Sequence, residues 1–382
     1  MDINKPKYGT SSYRVACAVI FVSFSIIYLF HYQTNVLAAA QHIASGGKTH
    51  YDPVIGPLLI IVATGLLQRG VRALSGLRGI FHALTYFPSF LIITIITDLP
   101  SKADREINFG AWIWTLPLLL LIWAAAVYLA KQYQSIETDT RGGGLLSQET
   151  GINMTMMLAM MVMTCLIGNH NREFHRCMET EFLISEKEYD RAIGAVEEYN
   201  SDTQNLTILR AYALAKKHKI GDEMFKFPIR TNSIIPSSKG FYAVIIPMDN
   251  IIGEYKRNID WQLTEMLVKK NIGEFYDNLA FFYGLDNNAV APDSAKQKAA
   301  KPVMVKKQNE YQDSLTRIKL MALPLHYKEA LVLYNDKVRK IRQDFLDPQL
   351  LNSYNQFLRA DNETKLKRFK GTFWVYFYFK NE

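Results

Sequence analysis

The stretch AWIWTLPLLLLIWAAAVYLA, residues 111–130, decides the fold class. It carries no charge, and Trp112, Trp114 and Tyr128 stand near its ends. A hydrocarbon core about 30 Å thick takes roughly 20 helical residues to cross. Backbone groups left unpaired in lipid are costly, so such a run must be helical, and Trp and Tyr collect where lipid meets water. The run reads as a membrane-spanning helix.

Four more apolar segments lie around it: Tyr13–Tyr32, Pro53–Leu67, Ile80–Leu99 and Ile152–Gly168. Pro53–Leu67 is the shortest of the five. Pro88 and Pro117 lie within apolar runs, which membrane helices tolerate when neighbours re-satisfy the freed carbonyl. The first segment follows Lys5, Lys7 and Arg14 and precedes an Ala-rich stretch at Ala38–Ala40, as a signal peptide would. Its apolar core is too long for one and further spans follow, so it is expected to be retained. Beyond residue 170 no run is long enough to cross a bilayer. The mean hydropathy of −0.05 averages two unlike halves. The expected architecture is all-α: a five-helix transmembrane bundle over residues 1–170, then a soluble, tetratricopeptide-like helical domain over 171–382.

Positive charge follows alternate loops. Lys5, Lys7, Arg14, Arg69, Arg72, Arg78, Lys131 and Arg141 fall on one side, against Lys48, Lys102 and Arg105 on the other. By the positive-inside rule the N-terminus is cytoplasmic. Five spans then put the C-terminal domain outside the cytoplasm, periplasmic in an inner-membrane protein. A formal net charge of +8 suits an anionic bilayer surface. It lacks the dense stripe that nucleic acid requires, so no nucleic-acid partner is expected.

From Asn171 onward the period becomes that of amphipathic helices: Phe174, Met178 and Phe182, then Tyr189, Ile193 and Val196, then Leu206, Leu209 and Ala213. Phe174 and Ile208, like Met178 and Tyr212, are separated by the tetratricopeptide period of about 34 residues. Pro228 stops the second unit, which gives one good repeat and one degenerate one. An irregular connection is expected over 228–247 and an exposed loop over 286–307. The aromatic terminus TFWVYFYFK, residues 372–380, is expected to be buried in the domain, with a strand or an interfacial anchor as alternatives.

Chemistry-bearing patterns are sparse. His170, His175 and Cys177 do not converge on one helical face, and neither CxxC nor HExxH occurs, so no metal site is expected. Met154, Met156, Met157, Met160, Met161 and Met163 read as packing. The glycine-rich RGGGLL at residues 141–146 lacks a P-loop lysine. No catalytic residue and no cofactor is expected. The polar candidates of the membrane part are His82 and Asp98 near the ends of the third segment, with Asp104 and Glu106 in the loop that follows. In the helical domain Tyr189 and Tyr212 are the candidate partner-binding residues.

The blocks Asn171–Tyr199, LPLHYKEALVLY at residues 323–334 and the terminal TFWVYFYF carry a resemblance. The chain resembles a family of uncharacterised multi-pass membrane proteins of Bacteroidetes whose C-terminal half holds tetratricopeptide-like helices. That resemblance implies an inner-membrane protein with a periplasmic helical domain, and it implies no activity and no site residues. The expected function is a membrane-anchored interaction or scaffold protein of the cell envelope, in contact with the lipid bilayer and an envelope protein. The alternative is a membrane enzyme or transporter acting on a lipid-linked or glycan envelope substrate.

Overall fold

The computed structural model describes residues 12–99, 110–134, 147–197, 203–237, 241, 243–284, 318–341 and 346–379. Regular structure among them is helical throughout. The chain forms two compact units, Met1–Met178 and Glu179–Glu382.

Five helical stretches of the first unit are long and apolar enough to cross a membrane: Ser12–Tyr32, Ile55–Ser75, Gly79–Thr97, Trp112–Gln134 and Gln148–Ile167. The first is α1 (Ser12–Ile27) closed by a π-turn at Tyr28–Tyr32. A short helix not expected from the sequence, α2 (Thr34–Ser45), follows and buries Val36, Leu37, Ala39 and Ile43. The second span, α3 (Ile55–Ser75), runs eight residues beyond the apolar run read at 53–67, carrying Arg69 and Arg72 in its last turns. The third span begins as a 3₁₀ stretch (Gly79–Tyr86) and becomes α only at α4 (Phe87–Thr97). Pro88 thus stands in the first turn of α4, where a missing N–H costs no helical bond, rather than inside a continuous helix. The remaining spans are α5 (Trp112–Gln134) and α6 (Gln148–Ile167).

The core of this unit joins Cys17 and Phe21 of α1 to Tyr28, Leu29, Ile61, Tyr86, Phe90, Ile93 and Met157. Phe21 and Phe90 meet edge to face at 5.2 Å. Met154, Met156, Met160 and Met161 pack against the same core, so the methionines fill gaps between helices. Two polar layers tie the bundle. At one, Asn153 of α6 serves the 3₁₀ stretch: its Nδ2 donates to Gly79 O (2.8 Å) and its Oδ1 accepts from Ala83 N (2.7 Å). Gln68 Nε2 donates to Thr85 Oγ1 beside it (2.9 Å). At the other, Tyr28 Oη lies 3.2 Å from Thr97 Oγ1 and 3.3 Å from Thr164 O. Asn169 completes that layer, its backbone N–H donating to Thr97 O (2.8 Å) and its Nδ2 to Leu99 O (2.6 Å).

The second unit opens within α7 (Arg172–Ser185) and continues through α8 (Tyr189–Glu197), α9 (Gln204–Lys216) and a one-turn α10 (Ile220–Glu223). After the irregular connection come α11 (Met248–Arg257), α12 (Ile259–Val268), α13 (Ile272–Phe282), α14 (Leu325–Lys337), α15 (Pro348–Arg359), α16 (Asn362–Arg368) and α17 (Phe373–Phe379). Helices α9 and α14 are buried nearly all round, Leu206–Ala215 in one and Glu329–Tyr334 in the other, as central helices are. The aromatic terminus is helical, not extended, and Phe373, Trp374 and Tyr376 are buried. Trp374 Nε1 donates to Glu329 O (2.9 Å) and Tyr376 Oη to Val268 O (2.7 Å).

Three helices of this unit end alike. Lys187, His218 and Lys270 follow α7, α9 and α12 with φ of 62°, 56° and 60°. In each case the next residue's N–H reaches back five residues: Glu188 to Leu183 O (2.8 Å), Lys219 to Leu214 O (2.9 Å) and Asn271 to Met266 O (2.9 Å). This satisfies carbonyls that a helix end would otherwise leave open.

Candidate functional site

Of Tyr189 and Tyr212, the two tyrosines read from the sequence, Tyr212 lies against an ammonium group and Tyr189 acts on the same group electrostatically. Tyr212 and Lys216 are four apart on α9 and so share a face, with the Lys216 Nζ 5.4 Å from the Tyr212 ring centre. The same Nζ donates to Glu254 Oε2 of α11 at 2.6 Å. That hydrogen bond, ahead of the electrostatic pull of Tyr212, Glu254 and Tyr189, raises the Lys216 pKa above its ordinary value. Tyr189 opens α8 two residues after the left-handed Lys187, which directs the chain into the helix. Asp190 beside it pairs with Lys217.

The two tyrosines play unequal parts in this face. Tyr212 is 7% exposed and rests against Trp261, so its ring forms the floor and does not reach outward. Tyr189 is half-buried, and Lys216 keeps about a third of its side chain in solvent. Arg257, one turn beyond Glu254, is largely exposed. The face can stack against a planar or aliphatic group and present cations and a hydroxyl to a polar one. It brings together no nucleophile with a base.

The charged groups inside the unit serve its own backbone. Glu181 of α7 is fully buried, and its Oε2 accepts from Val244 N (2.9 Å), Ile245 N (2.7 Å) and Ile246 N (3.2 Å). Glu265 of α12 accepts from Ser233 Oγ and Ile234 N, both at 2.7 Å. Buried Arg210 donates to Pro228 O at 3.0 Å. These three side chains hold the irregular connection in place of helix or sheet ladders. On α14, Glu329 Oε2 accepts from Phe373 N (2.7 Å) and from His326 Nδ1 (2.9 Å), while His326 Nε2 accepts from Phe225 N (3.3 Å). The Phe225 bond fixes the tautomer, leaving the His326 proton on Nδ1.

In the membrane unit His82 is buried between the ring edges of Tyr13 (5.4 Å) and Tyr86 (5.9 Å), and its Nδ1 has no hydrogen-bond partner among the described residues. Asp98 accepts from Trp112 Nε1 at 2.7 Å, which links the end of α4 to the start of α5. His82 and Asp98 thus form no common site. Asp104, Glu106, the RGGGLL stretch and the 286–307 loop lie outside the described residues. His170 Nδ1 and His175 Nε2 each meet a backbone carbonyl, of Gly168 and Asn169 respectively. Among the described residues no three His, Cys, Asp or Glu side chains are grouped to hold a metal ion.

Lys216 and Glu254 were not found from the sequence, nor were the buried glutamates. The four-residue step from Tyr212 to Lys216 was a usable signal. Nothing in the sequence pairs Lys216 with a residue 38 positions on, or Glu181 with backbone amides more than 60 positions on.

Residues 103–252 match the model of a family of unknown function (DUF6057). The matched stretch runs through α5 and α6 into the first helices of the second unit and includes Tyr189 and Tyr212. No curated protein and no solved structure matches the chain.

Proposed function

We propose that this membrane protein is an anchored interaction or scaffold protein of the cell envelope, and that it docks its partner on the face formed by Tyr189, Lys216, Glu254 and Arg257. The observation that carries the reading is the gathering of Tyr189, Tyr212 and the Lys216–Glu254 pair on one face, from helices far apart in sequence. The use of buried Glu181, Glu265 and Glu329 on the unit's own backbone supports it, because those groups are then committed to rigidity. A partly desolvated ion pair with an aromatic floor is the kind of patch that anchors an interface. On this reading α7–α8 and α9–α10 act as one full and one truncated tetratricopeptide-like hairpin. The arginine-rich ends support a cytoplasmic N-terminus and, with five spans, a helical unit in the periplasm of a Gram-negative inner membrane, in line with the resemblance to Bacteroidetes proteins. The alternative, catalysis or transport on an envelope substrate, is less well supported because Asp98 is engaged by Trp112.

The test is in-cell crosslinking from a photoreactive residue at position 189, with solubilisation, affinity purification and mass spectrometry. A stoichiometric envelope protein is expected, lost when Lys216 and Arg257 are both changed to Ala in a protein of unchanged helical content. Recovery of the chain alone, or with lipid only, refutes the docking face and directs attention to the membrane helices.

A further inference from the structure

A groove of about 310 Å³ lies on the membrane unit between α1 and α3. Its α3 wall is Ile61, Val62, Gly65, Leu66, Gln68 and Arg69, and its α1 wall is Ala18, Phe21 and Val22, with Tyr86 behind. The α3 residues fall on one helical face, and from Ile61 to Arg69 the groove extends about 12 Å at 1.5 Å per residue. Val22, Val62 and Leu66 are exposed on its rims, so it opens sideways along surfaces that face lipid in a membrane. The space exists because small residues line it. A Cβ added to Gly65 would meet no atom within 4 Å.

The two ends of the groove differ in chemistry. Ile61 and Val62 make one end apolar, and Arg69 makes the other cationic. Arg14, Arg72, Arg78 and Lys131 lie at the same end of the bundle, and Glu149 is the carboxylate found there among the described residues. Two observations place those cations together: Gln134, three residues after Lys131, donates to Arg78 O, and Arg14 and Arg72 both act electrostatically on His82.

We infer that this groove binds one anionic phospholipid, with an acyl chain along Gly65 and Ala18 and the phosphate at Arg69. Charge complementarity selects the occupant. The cavity is apolar where a chain would lie, cationic where a headgroup would lie, and open to the bilayer in between. Lipid tails gain little from the hydrophobic effect inside a membrane, so contact with the groove walls and the arginine field must supply the selectivity.

The test uses the full chain, purified in detergent and stripped of lipid. Dioleoyl phosphatidylglycerol or dioleoyl phosphatidylcholine is added, and retained lipid is counted by native mass spectrometry. The two lipids share their chains and differ in head charge. One retained phosphatidylglycerol is expected, held more tightly than phosphatidylcholine. Arg69→Gln should weaken it by about fivefold, the effect of one basic residue at a membrane surface. Gly65→Leu should abolish it by filling the groove, while Gly70→Leu, on the same helix and outside the groove, should leave it unchanged. Equal retention of both lipids overturns the inference, as does retention unaffected by Gly65→Leu. A dimer that Gly65→Leu dissociates would also overturn it, by making a second copy the occupant. If Gly65→Leu does not fold, the Arg69→Gln result decides, and an unchanged lipid preference there refutes the site.

Discussion

Lys187, His218 and Lys270 hold left-handed backbone that a residue with a Cβ adopts at a cost of about 1–2 kcal/mol. Glycine has no such cost, though it adds freedom to the unfolded chain. His218→Gly is therefore expected to raise the stability of the helical unit by about 0.5–1 kcal/mol, read as a higher urea midpoint with an unchanged slope. A lower midpoint would mean that the turn is not strained by its side chain. These turns were illegible in the sequence, because Lys and His do not announce a helix end as Gly does. The same blindness covers Glu181 and Glu329. Each looks like an exposed charge beside an apolar stripe, and its true partners are backbone amides that carry no residue signature.

At the scale of elements, the membrane spans were legible and their interruptions were not. Lipid imposes a run of apolar residues, and five such runs became five long helices. The 3₁₀ start of the third span depends on Asn153, which lies about 70 positions away and provides the missing hydrogen bonds. Gly168 illustrates the same point at the end of α6. A Cβ there would fall on the Tyr28 hydroxyl and crowd Thr97 Oγ1 at 3.0 Å and Thr164 O at 3.1 Å. Gly168→Ala should destabilise the full chain by about 1–3 kcal/mol, as overpacking of a tight contact does. A detergent thermal melt reads this out. The Tyr28→Phe, Gly168→Ala double variant should lose less than the sum of the two single losses. Additive losses would show that the two residues do not compete for the same space.

For the molecule as a whole, the titrating groups of the helical unit predict one direction of pH dependence. Burial raises Tyr327, Tyr376 and Tyr283 above the ordinary 10.0, and Tyr354 is raised by burial and by the neighbouring Tyr378. A raised tyrosine stabilises the fold below its unfolded pKa, and that contribution is lost as pH climbs toward the folded value. Lys216, raised through Glu254, has the same sign, and only its own unfolded value of 10.5 sets where the loss begins. Lys270, lowered by burial, opposes them. Helicity should hold through neutral pH and fall above pH 10, and the tyrosinate absorbance of the buried rings should appear with that fall, after that of the exposed ones. Ionisation of every tyrosine while helicity stays constant would contradict the burial argument. The irregular connection bears on a different matter, the order of synthesis. Its segment at Val244–Ile246 is held by Glu181, made before it, and its segment at Ser233–Ile234 by Glu265, made after it. A nascent chain emerging from the ribosome can fasten the later part of the connection to a helix already formed. The Ser233–Ile234 segment must wait for α12, so it is fastened after the Val244–Ile246 segment that follows it in the chain.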